Sequence, residues 1–306
     1  MQYDHILDEM EIVADPFSLC ELHGQCSLGL GRLSGATLHY ILAGNGECNL
    51  RNHPNIPLSK GTLVLVPAHM SHSLLSFGDA KTPLPECHPA GLKLAHHINR
   101  SETDTVNQNL LALCGHITIG LRGATDLVDL IRQPMQVHID RGSALDATLS
   151  ALLQELAEPK LGGRAIIRTL LLQSMLHMFR DRLIANDPAL TWMSAIGDPV
   201  LWSSLKAMLD NPGLPHTVET LADLSGMSRS AFARKFSDAY GDGPMKFLRQ
   251  LRMNLAAQLL QNTDQPVKLI AGKTGFQSRS AFTRTFEQTF GQSPRSFRAE
   301  QKKKGP

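Results

Sequence analysis

The chain has no run of about 18 or more apolar residues, so it offers no membrane-spanning helix. Its N-terminus, MQYDHILDEMEIVAD, is acidic and has no apolar centre, so it does not read as a secretory signal. It has no CxxC pair. Its cysteines, Cys20, Cys26, Cys48, Cys87 and Cys114, are odd in number and irregularly spaced. That excludes the disulfide framework of a small secreted domain and a recognisable zinc site. These absences predict a cytoplasmic protein. There is also no P-loop, no GxGxxG placed between a strand and a helix, and no Ser/His/Asp order of a hydrolase. No cysteine follows Cys114 and no histidine follows His216. Soft and titratable chemistry is therefore confined to the first part of the chain.

What is present is divided along the same line. A length of 306 residues predicts two domains, and 42% hydrophobic residues is ordinary for packed cores. The net charge of +2 hides an asymmetry. Residues 215–306 hold 15 Lys and Arg against 7 Asp and Glu, while the preceding 214 residues hold 15 against 21. A basic block behind an acidic one points to a C-terminal part that meets an anion, most often nucleic acid.

Residues 1–140 carry short apolar runs bounded by Gly, Pro, Asn or Asp. Examples are Thr37 to Leu42, Gly46 to Leu50, Gly61 to Pro67 and His116 to Ile119. Short, closely spaced strands of this kind predict a small β-barrel or jelly roll. Near Asp140 the period changes. Leu145, Leu149, Leu152, Leu153 and Leu156 recur at helical spacing. After a break at Pro159 to Gly163, a second helix is predicted from Arg164 to Ala185. It is apolar over more than one face, which suits packing on two neighbours, either the barrel and a partner chain or elements of this chain alone. The connection from Ala185 to Pro199 reads as a boundary. Beyond it, helices are predicted over Val200–Leu209, Val218–Leu224 (capped by Thr217), Pro244–Asn262 and Val267–Lys273. Ser228 and Ser278 cap two more, and Ser293-Pro294 opens the last.

Residues 228–236 read SRSAFARKF and residues 278–286 read SRSAFTRTF, identical at seven of nine positions. The match extends outward. Leu221-Ala222 corresponds to Ile270-Ala271, Gly226 to Gly275, Tyr240-Gly241 to Phe290-Gly291, Pro244 to Pro294 and Phe247 to Phe297. The second copy carries one extra residue at the turn. Each copy is a short helix, a glycine turn and a second helix, which is the plan of a helix-turn-helix unit. At roughly 100° per residue, Phe232 and Phe236 lie about 40° apart on an inward face. Ser230, Ala233, Arg234 and Ser237 then point outward, as do Ser280, Thr283, Arg284 and Glu287. Arg229 and Arg279 sit on the first turns, able to swing to base edges or phosphates. A face of Ser, Thr and Arg suits DNA, because Arg bonds bidentately to guanine and hydroxyls serve bases or phosphates. The helix Pro244–Asn262 would be about 28 Å long. That length suits two reading helices roughly one DNA turn, about 34 Å, apart.

On these residues the segment 200–298 resembles the DNA-binding module of the AraC/XylS family of bacterial transcription regulators. IAGKTGFQSRSAFTRTFEQTFGQSPRSFR, from Ile270 to Arg298, resembles the family's signature, and LADLSGMSRSAFARKF, from Leu221 to Phe236, resembles the first unit. The resemblance implies base-facing roles for Ser230, Ala233 and Arg234, and for Arg279, Ser280, Thr283 and Arg284. Ala233 departs from the polar residues often found at its position. The resemblance also implies a sensor barrel that often dimerises, with promoter DNA and RNA polymerase as partners. Residues 30–77 resemble a cupin barrel, on Gly35-x3-His39 and Gly61-x5-Pro67-x4-His72. Of a metal-binding cupin's ligand set only His39 and His72 match, so no metal and no cofactor is expected. Five thiols in one domain raise a redox reading, with Cys20, Cys48 and Cys87 beside Glu or His in sequence. A low thiolate pKa and exposure would be needed for it.

The expected fold is α+β: a cupin-like barrel (1–140), a helical dimerisation or linker segment (141–190) and an all-α double helix-turn-helix domain (195–306, with units 217–237 and 266–287). The expected function is a sequence-specific transcription regulator, not an enzyme, whose barrel senses a small molecule, a metal or a redox signal. The alternative is a cupin-type enzyme with an accessory nucleic-acid-binding tail. A nonspecific DNA-compacting protein fits less well, because the two reading faces differ.

Overall fold

The computed structural model describes residues 7–8, 10–30, 35–50, 53–78, 84–91, 94, 109–121, 130–131, 133–190, 192–193 and 198–304. Parts of the acidic N-terminal stretch (1–6 and 9) and of the Ala185 to Pro199 connection (191 and 194–197) lie outside them. The described residues up to Leu190 form one compact unit, and those from Trp192 onward form another.

The first unit is built on two antiparallel sheets. Its strands are β1 (Met10–Ala14), β2 (Ser18–His23), β3 (Ser27–Leu30), β4 (Ala36–Ala43), β5 (Asn45–Leu50), β6 (Ile56–Ser59), β7 (Thr62–Val66), β8 (His72–Ser76), β9 (Leu84–Pro89), β10 (Asn109–Leu121) and β11 (Met135–His138). The larger sheet runs β11-β7-β4-β10-β2-β9, with β1 also paired to β10. The smaller runs β3-β8-β5-β6. Between them lies an apolar core that includes Leu22, Ile41, Val64, Val66, Leu74 and Leu110.

Strand β10 is longer than the sequence pattern indicates. His116 to Ile119 is only part of a strand of 13 residues, which serves β2 with its first half and β1 with its second. Gly115 reads as a boundary but sits inside the strand. A Cβ there would lie 2.1 Å from the Phe17 ring, so glycine is required by packing rather than by a turn.

Two helices complete this unit, α1 (Ala144–Ala157) and α2 (Gly163–Ile184). Ser143 caps α1 by accepting from the Asp146 amide. The helices pack on each other, and α2 also packs on β1. Leu171, Met175, Met178 and Phe179 of α2 are buried, while Ile166 and Ile184 are exposed.

The second unit is helical: α3 (Pro199–Asp210), α4 (Val218–Leu224), α5 (Arg229–Tyr240), α6 (Pro244–Asn262), α7 (Val267–Lys273), α8 (Arg279–Phe290) and α9 (Pro294–Lys304). Local chemistry sets these bounds. Thr217 and Thr220 form a reciprocal cap on α4. Ser228 and Ser278 accept from the Ala231 and Ala281 amides. Pro244 opens α6 at its first turn. Gly226 and Gly275 adopt φ of 60° and 77°, the left-handed conformation that the tight turn between helices demands.

Candidate functional site

The two helix-turn-helix units rest on matching aromatic ladders. In the first, Phe232, Phe236, Tyr240 and Phe247 stack with ring centroids 5.7, 4.5 and 5.4 Å apart in succession. In the second, Phe282, Phe286, Phe290 and Phe297 do so at 5.8, 4.5 and 5.5 Å. With these rings inward, the opposite faces of α5 and α8 are free. Arg229, Ser230 and Arg234 are exposed on α5, and Arg279, Ser280 and Arg284 on α8. Ala233 and Thr283 are half-buried, and Ser237 donates to the Ala233 carbonyl at 2.8 Å. The extra residue of the second turn follows Phe276, whose ring packs edge-on to Phe282 at 5.6 Å.

The two faces differ in charge pairing. Arg229 donates to Glu219 at 2.7 Å, and that contact holds the Glu219 carboxyl below its usual range. Lys235 bonds Asp198 at 2.5 Å, tying α5 to the start of α3. The position of Glu219 is taken in the second unit by Lys268, and that of Lys235 by Thr285, whose hydroxyl donates to the Ala281 carbonyl at 2.9 Å. Among the described residues, Arg234, Arg279 and Arg284 have no acidic partner.

Not every arginine here is available to a ligand. Arg252 donates to the carbonyls of Pro212 and Leu214, both at 2.8 Å, and burial lowers its pKa. Arg298 donates to Leu260 at 3.3 Å and to Gln265 at 2.6 Å. Arg252 thus clamps the loop between α3 and α4, and Arg298 the end of α6 and the loop after it.

In the sheet unit, residues distant in sequence converge on one row. The β2–β9 register sets Cys20 opposite Cys87, and the β10–β4 register sets Cys114 opposite His39. The thiols of Cys114 and Cys87 lie near enough to Cys20 to shift its ionisation. Cys114 Sγ lies 3.1 Å from His39 Nδ1, and His39 Nε2 lies 2.8 Å from Nε2 of His72, which comes from the opposite sheet. His72 Nδ1 ends the row 3.1 Å from the Met70 carbonyl.

The last contact fixes the polarity of the row. A carbonyl only accepts, so His72 Nδ1 carries the proton. Burial lowers the pKa of both imidazoles, so both are neutral at pH 7. Neutral His72 must accept at Nε2, which makes His39 Nε2 the donor and His39 Nδ1 the acceptor. Cys114 then donates to His39.

This arrangement does not suit a cupin metal. The Nε2 atoms of His39 and His72 are spent on each other, and their Nδ1 atoms on Cys114 and Met70. Among the described residues, no group of three or more His, Cys, Asp or Glu is placed to hold a metal ion.

The sequence reading treated the cysteines through their neighbours in the chain, and that adjacency does not carry over. Glu47 follows the strand alternation away from Cys48, bonding Asn55 instead, and Cys48 is buried with its thiol pushed up to about 12. His88 bonds Glu86 at 3.3 Å. The thiolate pKa values are raised rather than lowered: that of Cys20 by Cys114 and burial, against a lowering from Cys87, and that of Cys87 by Cys20 and burial. Cys114, one of the five candidate thiols, is the one that meets the imidazoles, although Leu113 and Gly115 flank it in sequence and no Glu or His adjoins it.

Comparison with known proteins agrees with this architecture. A cupin family model matches residues 4–183, and a helix-turn-helix domain model matches residues 221–300. The chain is 26% identical to the HTH-type transcriptional regulator AlkR of Acinetobacter baylyi, over 89% of this chain and 90% of that protein. It is also 26% identical to the RCS-specific HTH-type transcriptional activator RclR of Escherichia coli, over 82% and 79% respectively. Among solved structures, the DNA-binding domain of AdpA, a global transcriptional factor in complex with a target DNA, is 33% identical over 36% of this chain and 97% of that chain, with a TM-score of 0.34. No helix among the described residues is long and apolar enough to cross a membrane. The chain belongs to the AraC/XylS family of helix-turn-helix transcription regulators, with an N-terminal cupin domain preceding the DNA-binding helices.

Proposed function

We propose that this regulator is sequence-specific, that its two helix-turn-helix units read adjacent major grooves on one face of the duplex, and that its cupin domain senses a signal. The observation that carries the reading is the pair of exposed Ser and Arg faces on α5 and α8, each backed by the same aromatic ladder. On this reading Arg229, Ser230, Ala233 and Arg234 serve the first groove, and Arg279, Ser280, Thr283 and Arg284 the second. Helix α6, 19 residues long, spans about 28 Å between the units. Arg234 and Arg284 reach base edges, while Arg229 and Arg279 reach bases or phosphates.

In the cupin domain, the row from Cys87 to His72 is the candidate sensing element. The exposed Ile166 and Ile184 of α2 favour a homodimer through that helix. RNA polymerase at the promoter is a further partner, and the cytoplasm is the expected compartment. The domain division is cupin barrel 1–140, helical segment 141–190 and DNA-binding domain 195–306. An enzyme is the weaker reading, because the His39–His72 pair is closed on itself within a hydrogen-bonded row.

Selection of duplexes from a random DNA pool by the full-length protein tests the DNA reading. An enriched motif with two blocks about one helical turn apart is expected. Retained binding without any enriched motif contradicts it.

A further inference from the structure

Helix α6 is shared by the two helix-turn-helix units. Its Phe247 belongs to the first aromatic ladder, and its Met253, Ala256, Ala257 and Leu260 belong to the core of the second unit. A single shared helix leaves rotation about its own axis free, so a second contact is needed to fix the angle between the units. That contact lies where α6 passes from one core to the other. The loop between α3 and α4, which leads into the first unit, is laid against the turn of the second. A Cβ on Gly213 of that loop would overlap the Lys273 carbonyl at the end of α7. A Cβ on Gly275, in the turn after α7, would lie 2.8 Å from the Gly213 carbonyl and 2.9 Å from the Arg252 guanidinium. Backbone meets backbone here, and glycine on both sides is what permits the approach.

Arg252 closes the junction from α6. Its Nε donates to the Pro212 carbonyl and a terminal nitrogen donates to the Leu214 carbonyl, both at 2.8 Å. The planar fork thus holds the residues on either side of Gly213 in one orientation, which a flexible lysine cannot do. The loop is stiffened further. His216 Nε2 donates to the Asn211 carbonyl at 2.9 Å, and the Leu214 amide donates to the same carbonyl at 3.1 Å. Helix α4 begins at Val218, two residues after His216. The turn of the first unit is open by contrast: among the described residues, a Cβ on Gly226 meets nothing within 4 Å. Arg298 binds the carbonyls of Leu260 and Gln265, so it ties the second unit to its own lead-in loop and does not bridge the two units.

We propose that Arg252 is a positioning residue for DNA binding: by fastening the loop before the first unit to the turn of the second, it fixes the angle between the two readers and so the spacing of the DNA blocks they accept together. This rests on the reading that each unit takes one groove. Each base pair added between the blocks moves one of them by about 3.4 Å along the duplex and about 35° around it. A rigid pair follows that change poorly, whereas a loosened pair follows it.

The test uses the full-length protein as wild type, Arg252→Met and Arg252→Lys. Methionine keeps much of the apolar stem without donors, and lysine keeps the charge without the fork. One arm contains no DNA. Spin labels on unnatural residues in place of Ser230 and Ser280 report the distance distribution between the units by pulsed electron spin resonance. A narrow distribution is expected in the wild type, a broad one in Arg252→Met and an intermediate one in Arg252→Lys. The second arm uses unlabelled protein and duplexes carrying the two selected blocks at native spacing, with one base pair added or removed, and each block alone. The wild type should lose about tenfold or more in affinity on altered spacing, and Arg252→Met about threefold or less. Arg252→Met should bind each single block within about twofold of wild type. Unchanged distance distributions and an unchanged spacing profile in both variants overturn the proposal. So does weakening on a single block as large as on the pair, because Arg252 would then hold the fold of one unit only. A broadened distribution with no two-block motif from the wild type instead sinks the two-groove reading, and with it the DNA role of Arg252, while the rigid junction stands.

Discussion

Phe232, Phe236, Tyr240 and Phe247 reproduce the ring spacing of Phe282, Phe286, Phe290 and Phe297, yet the helices in front of these ladders are oppositely charged. Helix α4, VETLADL, carries two carboxylates and no cation, whereas α7, VKLIAGK, carries two lysines and no carboxylate. In a helix-turn-helix unit the first helix crosses the DNA backbone. The second unit therefore offers phosphates a cationic helix and unpaired arginines, while the first offers an acidic helix that already holds Arg229. Packing is repeated because any such unit needs a core. Charge is free to diverge because it lies on the surface. The pair is thus one scaffold used twice, with more unpaired positive charge on the second copy.

The comparison can be broken at several levels. Phe236→Ala and Phe286→Ala should cost about 3–5 kcal/mol each, the usual loss for a buried ring. Denaturant unfolding should show the two losses within about 1 kcal/mol of each other if the ladders are equivalent. At the turns the units should part. Gly226→Ala should cost about 1–2 kcal/mol for a side chain in the left-handed region, since a Cβ there meets nothing within 4 Å. Gly275→Ala should cost more, because its Cβ would lie 2.8 Å from the Gly213 carbonyl and 2.9 Å from the Arg252 guanidinium. Melting temperatures of the two variants check the order. The smallest effects should be electrostatic. Lys268→Ala should lower the salt slope of DNA binding by about 0.9, one phosphate contact. Glu219→Gln should free Arg229 and raise low-salt affinity, with the gain vanishing as salt is added. Acid should mimic that substitution: the carboxylate persists above its lowered pKa, so Arg229 is released only as pH falls through that value.

The helical half was legible because its determinants are local. Caps, glycine turns and helix-opening prolines gave Val218–Leu224, Pro244–Asn262 and Val267–Lys273 with the same bounds that the structure has. The cupin half was legible in class but not in detail. Strands such as β9 and β11 have weak apolar patterns, and Gly115 masked the length of β10. The row from Cys87 to His72 depends on register, which joins His39 to Cys114 across 75 positions. A sequence shows which residues neighbour Cys20 in the chain, whereas its chemistry is set by what lies across β9 and β10. On α5 and α8, periodicity named the exposed Ser230, Arg234, Ser280, Arg284 and Glu287, but not that Ala233, Ser237 and Thr283 would be half-buried or that Glu219 would occupy Arg229.

The central claim, that one chain carries two separate readers of unequal charge, is tested most directly by repeating the DNA selection with Arg234→Ala and Arg284→Ala full-length proteins. Each variant should lose preference at one block only, at a cost of about 1–3 kcal/mol against the wild-type site. The blocks affected should differ, and both should lie about one helical turn apart in the wild-type motif. Loss of the same positions in both variants, or uniform weakening on every sequence, would contradict the account.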